Sequence, residues 1–164
     1  MVTENLRSNV DTRLRKLDEG QYDAIVLAAA GLKRLGLADR IRELLPASIM
    51  CPAVGQGALA IETRMDGEAL ELVRQLDHAE SRIAITAERA LLAALEGGCQ
   101  VPVGGYATVN GSIVSLRAIV ASPDGARVVR GELTGEDPMR VGTALALDLL
   151  SRGAREILSE VYAA

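Results

Sequence analysis

The hydrophobic period changes partway along this chain, and that change constrains the fold more than any other feature. Ile83, Ala87, Leu91 and Leu95 recur four residues apart, the stripe of an amphipathic helix, and Gly97-Gly98 stops it. Beyond that point Val114, Leu116, Ala118 and Val120 alternate, and Val129 and Leu133 continue the same period of two. Asn110-Gly111 predicts a two-residue hairpin and Pro123-Asp124-Gly125 a second turn. The spacing therefore predicts a three-stranded antiparallel meander. A final amphipathic helix follows through Val141, Leu145 and Leu149, with a last turn from Arg155 to Tyr162. Residues 66–164 read as a compact α+β domain, a small sheet with helices on one face.

The front of the chain reads differently. Asn9 or Asp11 can cap a short helix through Leu17, which Gly20 ends. Asp23–Ala28 is a nearly continuous apolar run of strand length, and Ala29–Leu35 is helix-like. Pro46 and Pro52 bracket a connector, and Ala58–Glu62 is a second predicted strand. Helix, buried strand and helix in forty residues belong to an α/β layer. One or two strands and two short helices cannot cover their own apolar faces, so residues 1–65 read as an incomplete α/β segment. Another chain, an identical copy or the C-terminal domain must cover Ile25, Val26 and Leu27. Uncovered strand edges of this kind predict self-association.

Composition removes several classes of function. Hydrophobic residues make up 49% of the 164, enough for a core, which excludes a disordered tail. Trp and Phe are absent and there are three Tyr, so the stacking platforms of a single-strand nucleic-acid binder are missing. A net charge of −4 gives no footprint for duplex binding. No apolar run reaches the roughly 18 residues of a membrane span. The N-terminus lacks the basic and apolar regions of a signal peptide, and two distant cysteines make no disulfide framework. The expectation is a soluble, cytoplasmic chain without nucleic-acid or membrane partners. Residues 1–45 hold eight Lys/Arg against seven Asp/Glu, whereas the remainder holds ten against fifteen. A locally basic front on an acidic chain suits either a small anionic ligand or a solvated helix face.

Cys99 is the residue with the most chemical promise. It stands in Gly97-Gly98-Cys99-Gln100-Val101-Pro102, a glycine-rich turn between a helix and a strand. A loop thiol flanked by glycines can become a nucleophile if cations favour the thiolate, or it can be a small buried hydrophobe. Cys51, beside Pro52, reads as buried packing. His78 has no ligand cluster and reads as the start of a helix; no metal site is expected. Arg7 and Arg13 flank Asn9-Val10 at a helix start, where guanidinium forks and helix N–H groups together suit carboxylates. Taken singly, each arginine, Arg34 included, reads as a surface residue.

Four segments in order resemble hydroxymethylbilane synthase, also called porphobilinogen deaminase. They are Arg7-Ser8-Asn9-Val10-Asp11-Thr12-Arg13-Leu14, Ala29-Ala30-Gly31-Leu32-Lys33-Arg34-Leu35-Gly36, Pro52-Ala53-Val54-Gly55-Gln56-Gly57-Ala58 and Glu96-Gly97-Gly98-Cys99-Gln100-Val101-Pro102. The resemblance implies a transferase that joins four porphobilinogen molecules head to tail, releasing ammonia, on a dipyrromethane cofactor. By motif, Cys99 carries that cofactor through a thioether. Loss of ammonia from porphobilinogen leaves an electrophilic azafulvene, which a soft sulfur captures into a bond stable in water. Arg7, Arg13 and Arg34 stand where the family has anion-binding arginines, for cofactor and growing oligopyrrole alike. Gly31 lies in the cofactor-binding motif, and Asn9 and Gln56 in substrate-binding motifs. Ser8 stands where the family often has glycine.

The resemblance also implies two periplasmic-binding-protein-like α/β domains followed by a C-terminal α+β domain. This chain matches from midway through the second of them: residues 1–65 as its rear and a return strand toward the first, residues 66–164 as the third. The family's catalytic aspartate lies in a first-domain motif that nothing here matches, so no catalytic residue is assigned. That carboxylate stabilises positive charge and helps proton transfer as ammonia leaves. The expectation is a chain inactive by itself that works with a partner supplying the N-terminal half. The competing expectation is a non-catalytic anion-binding or assembly module that retains the fold. A thiol redox protein is a poor third, since no resolving cysteine is near Cys99 in sequence.

Overall fold

The alternation from Val103 to Leu133 becomes a three-stranded sheet in the computed structural model, which describes residues 2–96 and 102–163. Strands β1 (Val103–Asn110), β2 (Ile113–Ala121) and β3 (Val128–Gly135) pair antiparallel in the order β1-β2-β3, the predicted meander. The helices are α1 (Val10–Asp18), α2 (Ala29–Arg34), α3 (Glu68–Arg74), α4 (Ala79–Ala94), α5 (Pro138–Leu149) and α6 (Arg155–Ala163). Two compact units divide the chain, residues 1–45 and 46–164.

The hairpin loop is shifted by one residue from the expectation. Asn110 pairs with Ile113, so the two loop residues are Gly111 and Ser112, with Gly111 at φ +61°. This register sets Val109 opposite Val114, whose side chain is fully buried, and so holds the apolar alternation on the inner face. The second turn forms as the sequence predicts: Gly125 N–H donates to the Ser122 carbonyl at 2.8 Å.

The core lies between the inner face of the sheet and the C-terminal helices. Leu91 from α4, Leu116 from β2, Leu145 and Leu149 from α5 and Ile157 from α6 are its largest enclosed side chains, with Val114 and Val120. One row of the sheet is built only of small residues, because Ala118 pairs with Gly105 on one side and Gly131 on the other. Leucines from the helices fill the space above this row. A Cβ placed on Gly105 would lie 3.1 Å from Leu91 Cδ2, and one on Gly131 2.8 Å from Leu145 Cδ1. The helices also meet closely: a Cβ on Gly142 of α5 would lie 2.3 Å from the Ala87 carbonyl oxygen of α4. Aliphatic knobs over glycine and alanine thus make a filled interior without Phe or Trp.

Helix boundaries follow their caps. Asn9 rather than Asp11 caps α1, its side-chain oxygen accepting from Thr12 N–H at 2.9 Å. His78 starts α4, as expected, with Nδ1 accepting from Ser81 N–H at 3.3 Å. Asp137 caps α5 ahead of Pro138. A wide turn over Leu150–Ala154 separates α5 from α6, with Gly153 at φ +103°. In the first unit Leu14 and Leu32 are buried, and Arg40 holds Asp18 at 2.5 Å.

Two expected strands do not form. Asp23–Ala28 and Ala58–Glu62 carry no strand pairing, so the α/β layer expected of residues 1–65 is not seen among the described residues. An apolar run of strand length becomes a strand only against a neighbouring edge, and neither run has one here. Val26 and Leu59 are accordingly exposed, Leu59 to 92%. The fold is a small α+β domain preceded by a helical segment. No helix among the described residues is long and apolar enough to cross a membrane.

Candidate functional site

Cys99, with Gly97, Gly98, Gln100 and Val101, lies outside the described residues; its two flanks do not. On one side α4 ends at Ala94, Leu95 is buried in the core and Glu96 takes φ +55°. On the other, the Pro102 carbonyl accepts from Ala121 N–H at 3.1 Å, and β1 begins at Val103. The Cys99 segment is therefore bounded by two elements of the core.

The Pro52–Ala58 segment packs against the open edge of β1. Ala53 bridges Gly104, and Gly105 N–H donates to the Pro52 carbonyl at 2.9 Å. The chain then turns at Gly55 (φ +75°), a left-handed conformation that suits glycine, and presents Gln56 to solvent. Gln56 N–H donates to the Ala53 carbonyl at 3.0 Å.

Beneath this turn sits Glu88 of α4, 5% exposed. Its Oε1 accepts from Ala107 N–H of β1 and its Oε2 from Gly55 N–H, both at 2.8 Å. Burial pushes its carboxyl pKa up, and the two backbone N–H donors oppose that shift without cancelling it. Sequence reading missed Glu88, because an acid in a surface helix reads as solvated. A signal was available: Glu88 follows Ala87 and stands four residues after Ala84, beside the stripe that carries Leu91 and Leu95.

The remaining expected residues lie in the first unit. Arg7 precedes the α1 cap, Asn9 is that cap, and Arg13 stands in the first turn, its Nε donating to the Ser8 carbonyl at 2.8 Å. Gly31 and Arg34 are on α2, where a Cβ on Gly31 would meet open space. Among the described residues, none of Arg7, Arg13 and Arg34 forms an ion pair. Half of the sixteen arginines do, for example Arg117 with Glu132 at 2.9 Å and Arg152 with Asp148 at 2.8 Å. Asn9 is already committed to its cap, which limits what its oxygen can offer a ligand.

Cys51 behaves as packing. Its Sγ lies 3.9 Å from the Arg117 carbonyl on the outer face of the sheet. Burial raises its thiol pKa despite the nearby Arg117, with Glu88 adding to the rise, so little thiolate is available. Ser48, Cys51, Ile119 and Arg130 line a shallow groove there, and the weak Arg130 contact to the Ser48 carbonyl is 3.4 Å. No group of His, Cys, Asp and Glu among the described residues could hold a metal ion.

Two family models match the chain in order. The model described as "Porphobilinogen deaminase, dipyromethane cofactor binding domain" matches residues 1–72, and "Porphobilinogen deaminase, C-terminal domain" matches residues 82–151. Between them they span the arginine motifs, the Gln56 turn, the Cys99 segment and the whole sheet. The chain belongs to the porphobilinogen deaminase family.

Proposed function

We propose that this chain carries the cofactor-bearing and part of the substrate-binding machinery of a hydroxymethylbilane synthase, a transferase of tetrapyrrole biosynthesis. The observation that carries the reading is the ordered match of both family models, over the same stretches as the four motifs. Cys99 holds dipyrromethane by a thioether. When bound, that group would supply the pyrrole carbon to which the first porphobilinogen unit is joined, and would tether the chain to whose free end each later unit is added. Arg7, Arg13 and Arg34 bind its acetate and propionate groups and those of the lengthening oligopyrrole. Their fitness for this is chemical: three guanidinium groups without carboxylate partners among the described residues can fork incoming carboxylates. Thr12 N–H at the start of α1 is already taken by Asn9, so the arginines rather than the helix end supply most of the attraction. Gly31 leaves room on α2, and Gln56 offers an exposed amide beside the Cys99 segment's flanking strand. Residues 1–65 correspond to the rear of a periplasmic-binding-protein-like domain, and the chain acts in the cytoplasm.

Intact mass tests the attachment. Purified after co-expression with the family's N-terminal half, wild-type chain is expected to weigh more than its sequence by two pyrrole units, and Cys99→Ser to match its sequence mass. An unmodified wild type would overturn covalent attachment in this chain.

The motif that carries the family's catalytic aspartate has no match in residues 1–164, so turnover requires the family's N-terminal half, joined to these residues or supplied by a partner. The apolar segment Leu59, Ile61 and Met65 is exposed to 92, 54 and 93%, which favours such a partner or self-association. The isolated chain is expected to release no ammonia from porphobilinogen, and adding the complementary half to restore release. Turnover by the chain alone would refute the dependence. A stable self-associated form that stays inactive with the added half would favour the non-catalytic module.

A further inference from the structure

The buried carboxylate under the Gln56 turn has a role that packing alone does not explain. Strand β1 has one sheet neighbour, β2, and its other edge carries N–H groups that need acceptors. Pro52 satisfies Gly105, and further along the same edge Glu88 satisfies Ala107 in place of a fourth strand. The second carboxylate oxygen then reaches Gly55, the glycine on which the Pro52–Ala58 segment turns. One side chain thus joins three pieces of backbone: α4, which leads into the Cys99 segment; β1, which leads out of it; and the turn that presents Gln56.

We propose that Glu88 is a positioning residue that fixes the Gln56 turn relative to both flanks of the Cys99 segment, and so sets where Gln56 meets substrate. The choice of glutamate follows from the geometry. Two N–H donors on opposite sides need two acceptor oxygens, which a carboxylate has and a glutamine amide lacks. Aspartate would withdraw the group by one methylene from contacts that are both 2.8 Å. The part played by Gln56 toward substrate rests on the porphobilinogen deaminase reading, whereas the clamp itself rests on the hydrogen bonds.

The test joins amide hydrogen exchange to binding of porphobilinogen, using the full chain and the variants Glu88→Ala, Glu88→Gln and Gln56→Ala. Glu88→Ala is expected to speed exchange across Gly55–Ala58 at least tenfold while β2 amides such as Val120 keep their protection. Glu88→Gln should fall between Glu88→Ala and wild type, since one oxygen remains. Porphobilinogen affinity is expected to drop about tenfold in Glu88→Ala and similarly in Gln56→Ala, with the double variant no worse than either. Unchanged exchange at the turn, or an equal loss of protection throughout the sheet, would overturn the proposal. So would a released turn with affinity unaltered by Glu88→Ala and reduced by Gln56→Ala. If the wild type itself binds no porphobilinogen, the reading of Gln56 falls, and the exchange result still decides whether Glu88 positions the turn.

Discussion

Gly142→Ala is expected to destabilise the C-terminal domain by about 3 kcal/mol, against a helix propensity that favours alanine by about 1 kcal/mol. The sign is the informative part. At an exposed helix interior this substitution stabilises, because alanine restricts the unfolded chain and packs against its own helix. Here the added methyl would meet three atoms of α4: the Ala87 oxygen at 2.3 Å, the Ala90 Cβ at 2.7 Å and the Leu91 nitrogen at 2.7 Å. Two of these are backbone atoms, which cannot swing aside as a side-chain end can. The helices must separate by roughly an ångström or more, loosening every contact that Leu91 and Leu145 make between them. For a domain of this size the loss corresponds to a fall in Tm on the order of 10 °C or more. Thermal denaturation followed by circular dichroism reads it directly. An unchanged or raised Tm would mean that α4 and α5 are further apart than described.

Leu91→Ala carries a comparable cost for the opposite reason. Leu91 is fully enclosed between the sheet and α5, and removing its branched end leaves a hole with rigid walls, a change worth about 3–4 kcal/mol. The neighbouring glycine makes the prediction sharper. A Cβ on Gly105 would crowd Leu91 Cδ2 at 3.1 Å and Val54 Cγ2 at 3.0 Å, so Gly105→Ala alone should also destabilise, by about 1–2 kcal/mol. In the Leu91→Ala background the new methyl enters vacated space. The double variant should therefore be at least ~1 kcal/mol more stable than the sum of the single effects implies. Urea denaturation of the four proteins measures the coupling. Strict additivity would show that the two positions do not share a cavity.

How far these features could be read from the sequence depended on whether the signal was local. Strands β1 to β3 were legible because alternation and turn residues act over a few positions, and even the hairpin erred by only one residue. The runs Asp23–Ala28 and Ala58–Glu62 looked like strands for the same local reasons. Pairing is not local, however, and among the described residues neither run lies in a sheet beside another strand. The candidate site divides likewise. Cys99 and the arginines stood out by motif, whereas Glu88 was hidden because its value lies in two backbone donors, 33 and 19 residues away in sequence. Gly142 was equally silent, since a glycine inside a helical pattern announces a close crossing only when the partner helix is known.

If Cys99 carries dipyrromethane as proposed, the anchoring of its two flanks limits how a tethered product could grow. Leu95 is fixed in the core, and Pro102 is tied to β2 by the Ala121 N–H. Cys99 stands three positions before Pro102, and a fully stretched chain covers about 3.5 Å per residue, so the Cα of Cys99 lies within roughly 10 Å of that of Pro102. Each coupling pushes the free end of an oligopyrrole further from Cys99, by more than so short a reach can take up over several rounds. A dipyrromethane carried on Cys99, as proposed, would stay tethered within that reach of the core. Under that proposal, translocation between rounds has to come largely from the product folding back on itself or from motion of other parts of the assembled enzyme past its tether.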